Sequence, residues 1–201
     1  MCTGQIVHII EDDAGVGESL SLLLQSAGFE TRLHGSAAGF LDSDPPPAGC
    51  VVSDVRMPGM TGLELIGEMK KRRMPQPILL MTAFADVPQA VKAMKLGAVD
   101  FIEKPFDDEL MVSSVRAALA KSGGDSAVAA REKLDKLTTR ERDVLHGLLQ
   151  GKLNKTIAHE LGVSVRTVES HRANLMTKTN SQSLPELIRI SLLAEGGDLG
   201  A

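Results

Sequence analysis

The chain has no tryptophan and no tyrosine, and five phenylalanines are its whole aromatic content over 201 residues. Readers of single-stranded nucleic acid stack bases on aromatic side chains, so that class is disfavoured, whereas duplex binding stays open. Cysteine is almost as scarce. Cys2 and Cys50 are too few for a disulfide framework, and no second pair stands at zinc-binding spacing. Both are read as reduced thiols, with Cys50 a small core residue. The longest apolar runs, such as Pro77 to Met81, stop far short of the roughly 18 residues that span a bilayer. Met1-Cys2-Thr3-Gly4-Gln5 holds neither a basic residue nor a cleavable apolar segment, so no secretion signal is read and the expected location is the cytoplasm.

What is present is ordinary for a globular protein: 43% hydrophobic and 24% charged residues, which argues against disorder and against rods. The net charge of -4 divides unevenly. Residues 1 to 122 carry 11 basic and 16 acidic side chains, whereas 137 to 182 carry 7 basic and 4 acidic. An acidic front is joined to a mildly basic back.

Short apolar runs at Ile6 to Ile10, Glu30 to Leu33, Gly49 to Ser53, Pro77 to Met81 and Val99 to Ile102 predict five strands. Between them lie helical periodicities, such as Leu20, Leu23, Leu24 and Ala27, or Ala90, Val91, Met94 and Leu96. Alternating strands and helices imply a parallel sheet covered on both faces, because each parallel connection needs a crossover. The expected fold is a doubly wound α/β domain with a five-stranded parallel sheet. The Gly and Ser punctuation of Ala120 to Ser126 places a boundary there. The expected division is a first domain at 1–122, a linker at 123–136 able to form a short helix, and a small all-α domain at 137–201.

In such sheets ligands gather beyond the carboxyl ends of the strands. Strand one runs into Glu11-Asp12-Asp13, strand three into Asp54, strand four into Thr82 and strand five into Lys104-Pro105. One edge thus collects carboxylates, a hydroxyl and an ammonium, the set that Mg²⁺-assisted phosphoryl chemistry requires. A carboxylate there can attack phosphorus while Lys and Thr neutralise the phosphoryl oxygens. A Mg²⁺-dependent phosphatase is the enzyme alternative for the same cleft.

These residues resemble the two-component response regulators of the FixJ branch of the NarL/LuxR group. The receiver signature is read in Glu11-Asp12, in Ser53 to Met60, in Met81-Thr82-Ala83 and in Glu103-Lys104-Pro105-Phe106. The resemblance implies a flavodoxin-like receiver in which Asp54 is the phosphoacceptor. Glu11 and Asp12 would form the metal-binding acidic pair, with Asp54 and the Arg56 main-chain carbonyl as further ligands. Thr82 and Lys104 would bind phosphoryl oxygens, and Phe101 sits at the aromatic switch position, where it would turn inward when Thr82 moves toward the phosphate. Glu11 departs from the Asp common in receivers, and Asp13 is a candidate to share its role. Read without the resemblance, Phe101 is equally a plain core residue. Lys70-Lys71-Arg72-Arg73 is read as the solvated end of a helix, and His8, His34, His146 and His159 as packing or surface residues.

The tail reads as four helices. Thr138 or Thr139 caps the first, with Glu141 at capping distance from Thr138. Gly151 ends it, Asn154 to Leu161 supplies a second stopped by Gly162, and Ser164 caps a third. This is a helix-turn-helix pattern, although helical bundles produce it as well. Residues 137 to 190 resemble the LuxR-type domain through Leu137-Thr138, Arg140-Glu141, Asn154-Lys155, Ile157-Ala158, Thr167-Val168-Glu169 and His171-Arg172. On that resemblance, Arg166, Glu169, Ser170 and Ala173 are candidates for the groove face, and Lys155, Arg172 and Lys178 for phosphate contacts. Leu187, Ile188, Ser191 and Leu192 of the last helix are available either for self-association or for packing within the domain. The whole implies a regulator rather than an enzyme. Its expected partners are a sensor histidine kinase, double-stranded DNA, a second copy of itself on phosphorylation, and RNA polymerase.

Overall fold

The computed structural model describes residues 5–43, 49–84, 86–120 and 127–195. Residues 121–126 of the expected Gly and Ser boundary, and Cys2, lie outside the described residues. The described residues fall into two compact units, one within Met1–Phe84 and Leu96–Gly123, the other within Ala85–Lys95 and Gly124–Ala201.

In the first unit β1 (Ile6–Ile10), β2 (Glu30–His34), β3 (Gly49–Asp54), β4 (Ile78–Thr82) and β5 (Asp100–Glu103) form one sheet in the order β2-β1-β3-β4-β5. Every adjacent pair is parallel, as the alternating pattern requires. β4 is buried along its whole length, the mark of a strand covered on both faces. Val7, Ile9, Cys50, Val52, Leu79 and Met81 build one face of the core. Leu20 and Leu24 of α1 (Ala14–Ser26) and Met111 and Val115 of α5 (Asp108–Leu119) complete it. Cys50 is wholly buried there, and burial pushes its thiol well above the usual range, so it is a packing residue. α2 (Ala37–Leu41) packs on β1 and β2 from the other face, and α3 (Gly62–Lys71) packs beside it.

His8 and His34, read from the sequence as packing or surface residues, pack against each other. His8 Nδ1 and His34 Nε2 are 3.0 Å apart, and the Phe40 ring meets both edge-on, with centroids 5.2 and 5.3 Å away. Burial, then the neighbouring His8 and Arg32, lowers His34 to about 4. Twenty-six residues separate the pair, so no local spacing announces it.

The second unit includes α4 (Val87–Leu96) as far as Lys95, a helix that the expected division at 1–122 puts in the first domain, together with α6 (Ala127–Asp135), α7 (Thr139–Leu149), α8 (Asn154–Leu161), α9 (Val165–Thr179) and α10 (Leu184–Ala194). Thr138 closes a capping box with Glu141 at the start of α7, and Gly162 in the left-handed conformation ends α8. Val144, Leu148, Ile157, Val168, Leu175 and Leu187 share the core. Leu187, Ile188 and Ser191 are buried, so packing within the unit is the role the fold gives them. α6 is seated on α10 through Ala130, Ile190 and Ala194, and Arg131 Nε donates to the Ala194 carbonyl at 2.8 Å.

Candidate functional site

Parallel strands all end at the same edge, and that geometry brings Glu11, Asp54, Thr82 and Lys104 to the carboxyl edge of the sheet. Lys104 Nζ donates to Glu11 Oε2 at 2.7 Å and to Asp54 Oδ2 at 2.5 Å. Asp54 Oδ1 accepts from the Arg56 backbone N–H at 2.7 Å. Glu11 and Asp54 are only 7% and 9% exposed. Burial raises the Glu11 carboxyl above its ordinary value; Lys104 opposes that rise and the negative Asp54 adds to it. For Lys104, burial disfavours the ammonium, but its hydrogen bonds to Asp54 and Glu11 more than offset this and hold it above its ordinary value.

Two carboxylates therefore share one ammonium, and the cluster keeps a negative excess. Asp12, exposed beside Glu11, adds to it. Among the described residues, no group of three or more His, Cys, Asp or Glu side chains is gathered as a cage for a metal. The hard oxygen donors and spare negative charge nevertheless fit Mg²⁺, which keeps waters and phosphate oxygens in its shell and needs few protein ligands. Asp13 has a different task, since its Oδ1 accepts from Val16 N at 3.1 Å and caps α1.

Thr82 is completely buried, and its hydroxyl oxygen accepts from the Phe84 N–H at 3.3 Å. Phe101 is 6% exposed, so the inward turn expected of it does not start from an exposed ring. Two features escaped the sequence reading. A Cβ at Gly62 would collide with the Asp54 carbonyl oxygen, so α3 can start this close to the acceptor strand only with glycine there. The Arg56 guanidinium lies 5.3 Å from the centre of the exposed Phe84 ring, within cation–π range.

In the second unit α9 buries Val168, Leu175 and Thr179 and exposes Arg166, Glu169, Ser170, Ala173 and Thr177. These five recur at steps of three and four residues and so form one stripe. Lys155 on α8 is exposed as well. Arg172 and Lys178, expected as phosphate contacts, are each bonded to a neighbouring helix. Arg172 Nη1 donates to Asn154 Oδ1 at 2.9 Å, and Lys178 Nζ donates to Glu141 Oε2 at 2.8 Å. Both lie off the exposed stripe, where the helix turns toward its neighbours, and the fold uses them as internal ties. Asn174, which the sequence reading passed over, is exposed next to Ala173.

Comparison with known proteins gives the same two halves. Residues 7–116 match the response regulator receiver domain family, and residues 135–191 match the bacterial regulatory proteins of the luxR family. The chain is a response regulator with a LuxR-type domain. It is 50% identical over 194 residues to the transcriptional regulatory protein FixJ of Azorhizobium caulinodans, covering 94% of this chain and 92% of that one. The FixJ of Rhizobium meliloti is 42% identical over 196 residues, covering 94% and 96%. Among solved structures, full-length FixJ from B. japonicum is similar at 46% identity, over 98% of this chain and 99% of that one, with a TM-score of 0.57. As a response regulator the chain belongs among transcriptional regulators rather than enzymes. Among the described residues no helix is long and apolar enough to cross a membrane.

Proposed function

We propose that this response regulator takes a phosphoryl group from a sensor histidine kinase onto Asp54 and answers by dimerising and binding promoter DNA through α9. The observation that carries the reading is the Lys104 ammonium held between two buried carboxylates, one of them Asp54. An Asp54 oxygen attacks phosphorus, the bond from phosphorus to the kinase imidazole breaks, and the imidazole nitrogen leaves with the electron pair and takes up a proton. Lys104 and the Thr82 hydroxyl bind the phosphoryl oxygens that result. Glu11, Asp12, Asp54 and the Arg56 carbonyl would hold Mg²⁺, which when bound neutralises charge on the transferring group. To reach the phosphate, Thr82 must give up the Phe84 N–H, and the buried Phe101 is the switch residue that feels this change.

On the DNA side, Arg166, Glu169, Ser170 and Ala173 would face the major groove and Lys155 a phosphate. Two copies on a two-fold site would place their α9 helices about one DNA turn apart. At a promoter, RNA polymerase is the further partner, and the cytoplasm is the compartment where all of these meet. The functional divisions are a receiver at 1–122, in which we count α4 because the receiver family matches residues 7–116 although α4 clusters with the second compact unit, a linker at 123–136 whose helix is α6, and an effector domain at 137–201.

Phosphorylation is tested by labelling with a small phosphodonor. Asp54→Asn should abolish the base-labile label, and chelation of Mg²⁺ should do the same to the wild type. An unchanged label in either case sinks the assignment. DNA binding is tested by salt titration on a duplex selected from a random pool. Lys155→Ala should reduce the salt slope by about one, whereas changes at Glu169 or Ser170 should alter which sequences are selected.

A further inference from the structure

The exposed stripe of α9 is only as well aimed as the contacts that hold the helix, and two polar ties do so. Arg172 fastens the middle of α9 to Asn154, the first residue of α8. Lys178 fastens its last turn to Glu141, in the first turn of α7. Six residues, or about 9 Å of helix, separate the ties. Glu141 Oε2 accepts from the Thr138 N–H at 2.8 Å and from Lys178 Nζ at 2.8 Å. Its side chain is 4% exposed, that of Lys178 35%. One buried oxygen thus joins the start of α7 to the end of α9.

The start of α7 is itself anchored. Arg142 Nε donates to the Leu137 carbonyl at 3.3 Å, and Arg142 Nη2 lies 3.6 Å from the Asp135 carboxylate at the end of α6. Beyond Lys178, Asn180 caps α9 in the left-handed conformation, and the Thr179 hydroxyl donates back to the Leu175 carbonyl at 2.7 Å. The last turn of α9 is therefore a defined structure with a fixed point to rest on.

We propose that Lys178 is a positioning residue that latches the last turn of α9 onto Glu141 and so sets the angle at which the exposed stripe meets DNA, without itself contacting a phosphate. A lysine that left Glu141 for a phosphate would strand a buried carboxylate on a single backbone donor, a costly arrangement. Lys155, by contrast, is exposed on the neighbouring helix and has nothing comparable to abandon. The inference rests on the reading of α9 as the DNA-reading helix.

The experiment uses the full chain and two measurements, one of which needs no DNA. Hydrogen exchange of the amides from Leu175 to Thr179 reads the latch, and salt titration on a duplex selected by the wild type reads its consequence. Lys178→Met removes the cation. The paired change Glu141→Gln with Lys178→Met keeps a side chain able to close the capping box and leaves no buried charge unpaired, so it guards against simple unfolding. Both should exchange roughly tenfold faster in the last turn and bind roughly tenfold more weakly, with the salt slope unchanged. Lys178→Arg should return both readings toward the wild type, and Lys155→Ala should lower the slope by about one with exchange in α9 unaltered. A slope lowered by about one in the Lys178 variants, with exchange unaltered, makes Lys178 a phosphate contact and overturns the proposal. So does faster exchange with unaltered affinity. Faster exchange combined with indifference of binding to Arg166→Ala and Ser170→Ala supports the latch and defeats the reading of α9 as the DNA contact.

Discussion

In the first unit one ammonium, Lys104, serves two buried carboxylates, Glu11 and Asp54; in the second, Lys178 serves a single one, Glu141. The counts are the lesson. Glu141 also accepts from the N–H of Thr138, so its charge is matched by one cation and a backbone donor, and burial leaves it fully satisfied. The cleft around Lys104 is unbalanced by one negative charge, with Asp12 exposed at its rim. A balanced buried pair holds helices together, whereas an unbalanced one is poised to take up a cation. Short distances look alike in both places, and only the charge balance separates a structural tie from a reactive site.

The comparison is broken most directly by removing each cation in turn. Lys104→Met leaves two buried carboxylates facing each other, and we expect a loss of about 3–5 kcal/mol in stability, a substantial part of which Mg²⁺ restores. Urea unfolding with and without Mg²⁺ measures it, followed by far-ultraviolet circular dichroism because the chain has neither Trp nor Tyr. No recovery with Mg²⁺ would mean that the excess charge is not a cation site. Lys178→Met should cost less, about 1–3 kcal/mol, and Mg²⁺ should not change that loss.

The balanced pair also predicts a pH dependence. The Lys178 hydrogen bond, then the backbone hydrogen bond of Thr138, hold the Glu141 carboxyl down to about 2 against an ordinary 4.5. Between those values the unfolded chain binds more protons than the folded one, so the contribution is complete above 4.5 and is lost as pH falls toward 2. Measured against the intrinsic exchange rate, which itself slows in acid, the protection of amides in α7 and α9 should fall across that range in the wild type. In Glu141→Gln the fall in protection over the same range should be visibly flatter; equal curves would remove Glu141 from the account. The smallest effect is expected for Arg172→Met, which loses only the tie to Asn154. It should lower stability by about 1 kcal/mol in the same unfolding assay, and a loss as large as that of Lys104→Met would reverse the ranking.

Much of the fold is legible along the chain because its signals are local. The run from Pro77 to Met81 is apolar at every position but its ends need no partner to be recognised as a buried strand, and β4 is found at Ile78–Thr82. Thr138 and Glu141 stand three residues apart, so the capping box at α7 is visible without coordinates. Arg166, Glu169, Ser170 and Ala173, offered by the LuxR-type resemblance, fall on one side of a helix by their spacing, and those residues are exposed. The cleft is legible at one remove, because residues just past parallel strands must share an edge.

Pairings across long stretches of chain are a different matter. Lys104 and Glu11 are 93 residues apart, Lys178 and Glu141 are 37, and His8 and His34 are 26. The LuxR-type resemblance offers Lys178 as a phosphate contact, and nothing near it in the chain announces its bond to Glu141. Phe101 likewise gives no sign in the chain of how deeply its ring is buried. Residue order, through periodicity, caps and turn residues, settled which segments are strands or helices and which residues reach the strand ends, since neighbours within about four positions decide those preferences. Only the packed structure decided which cation meets which carboxylate and which charges are left over, because those choices depend on how separate faces come together and exclude water.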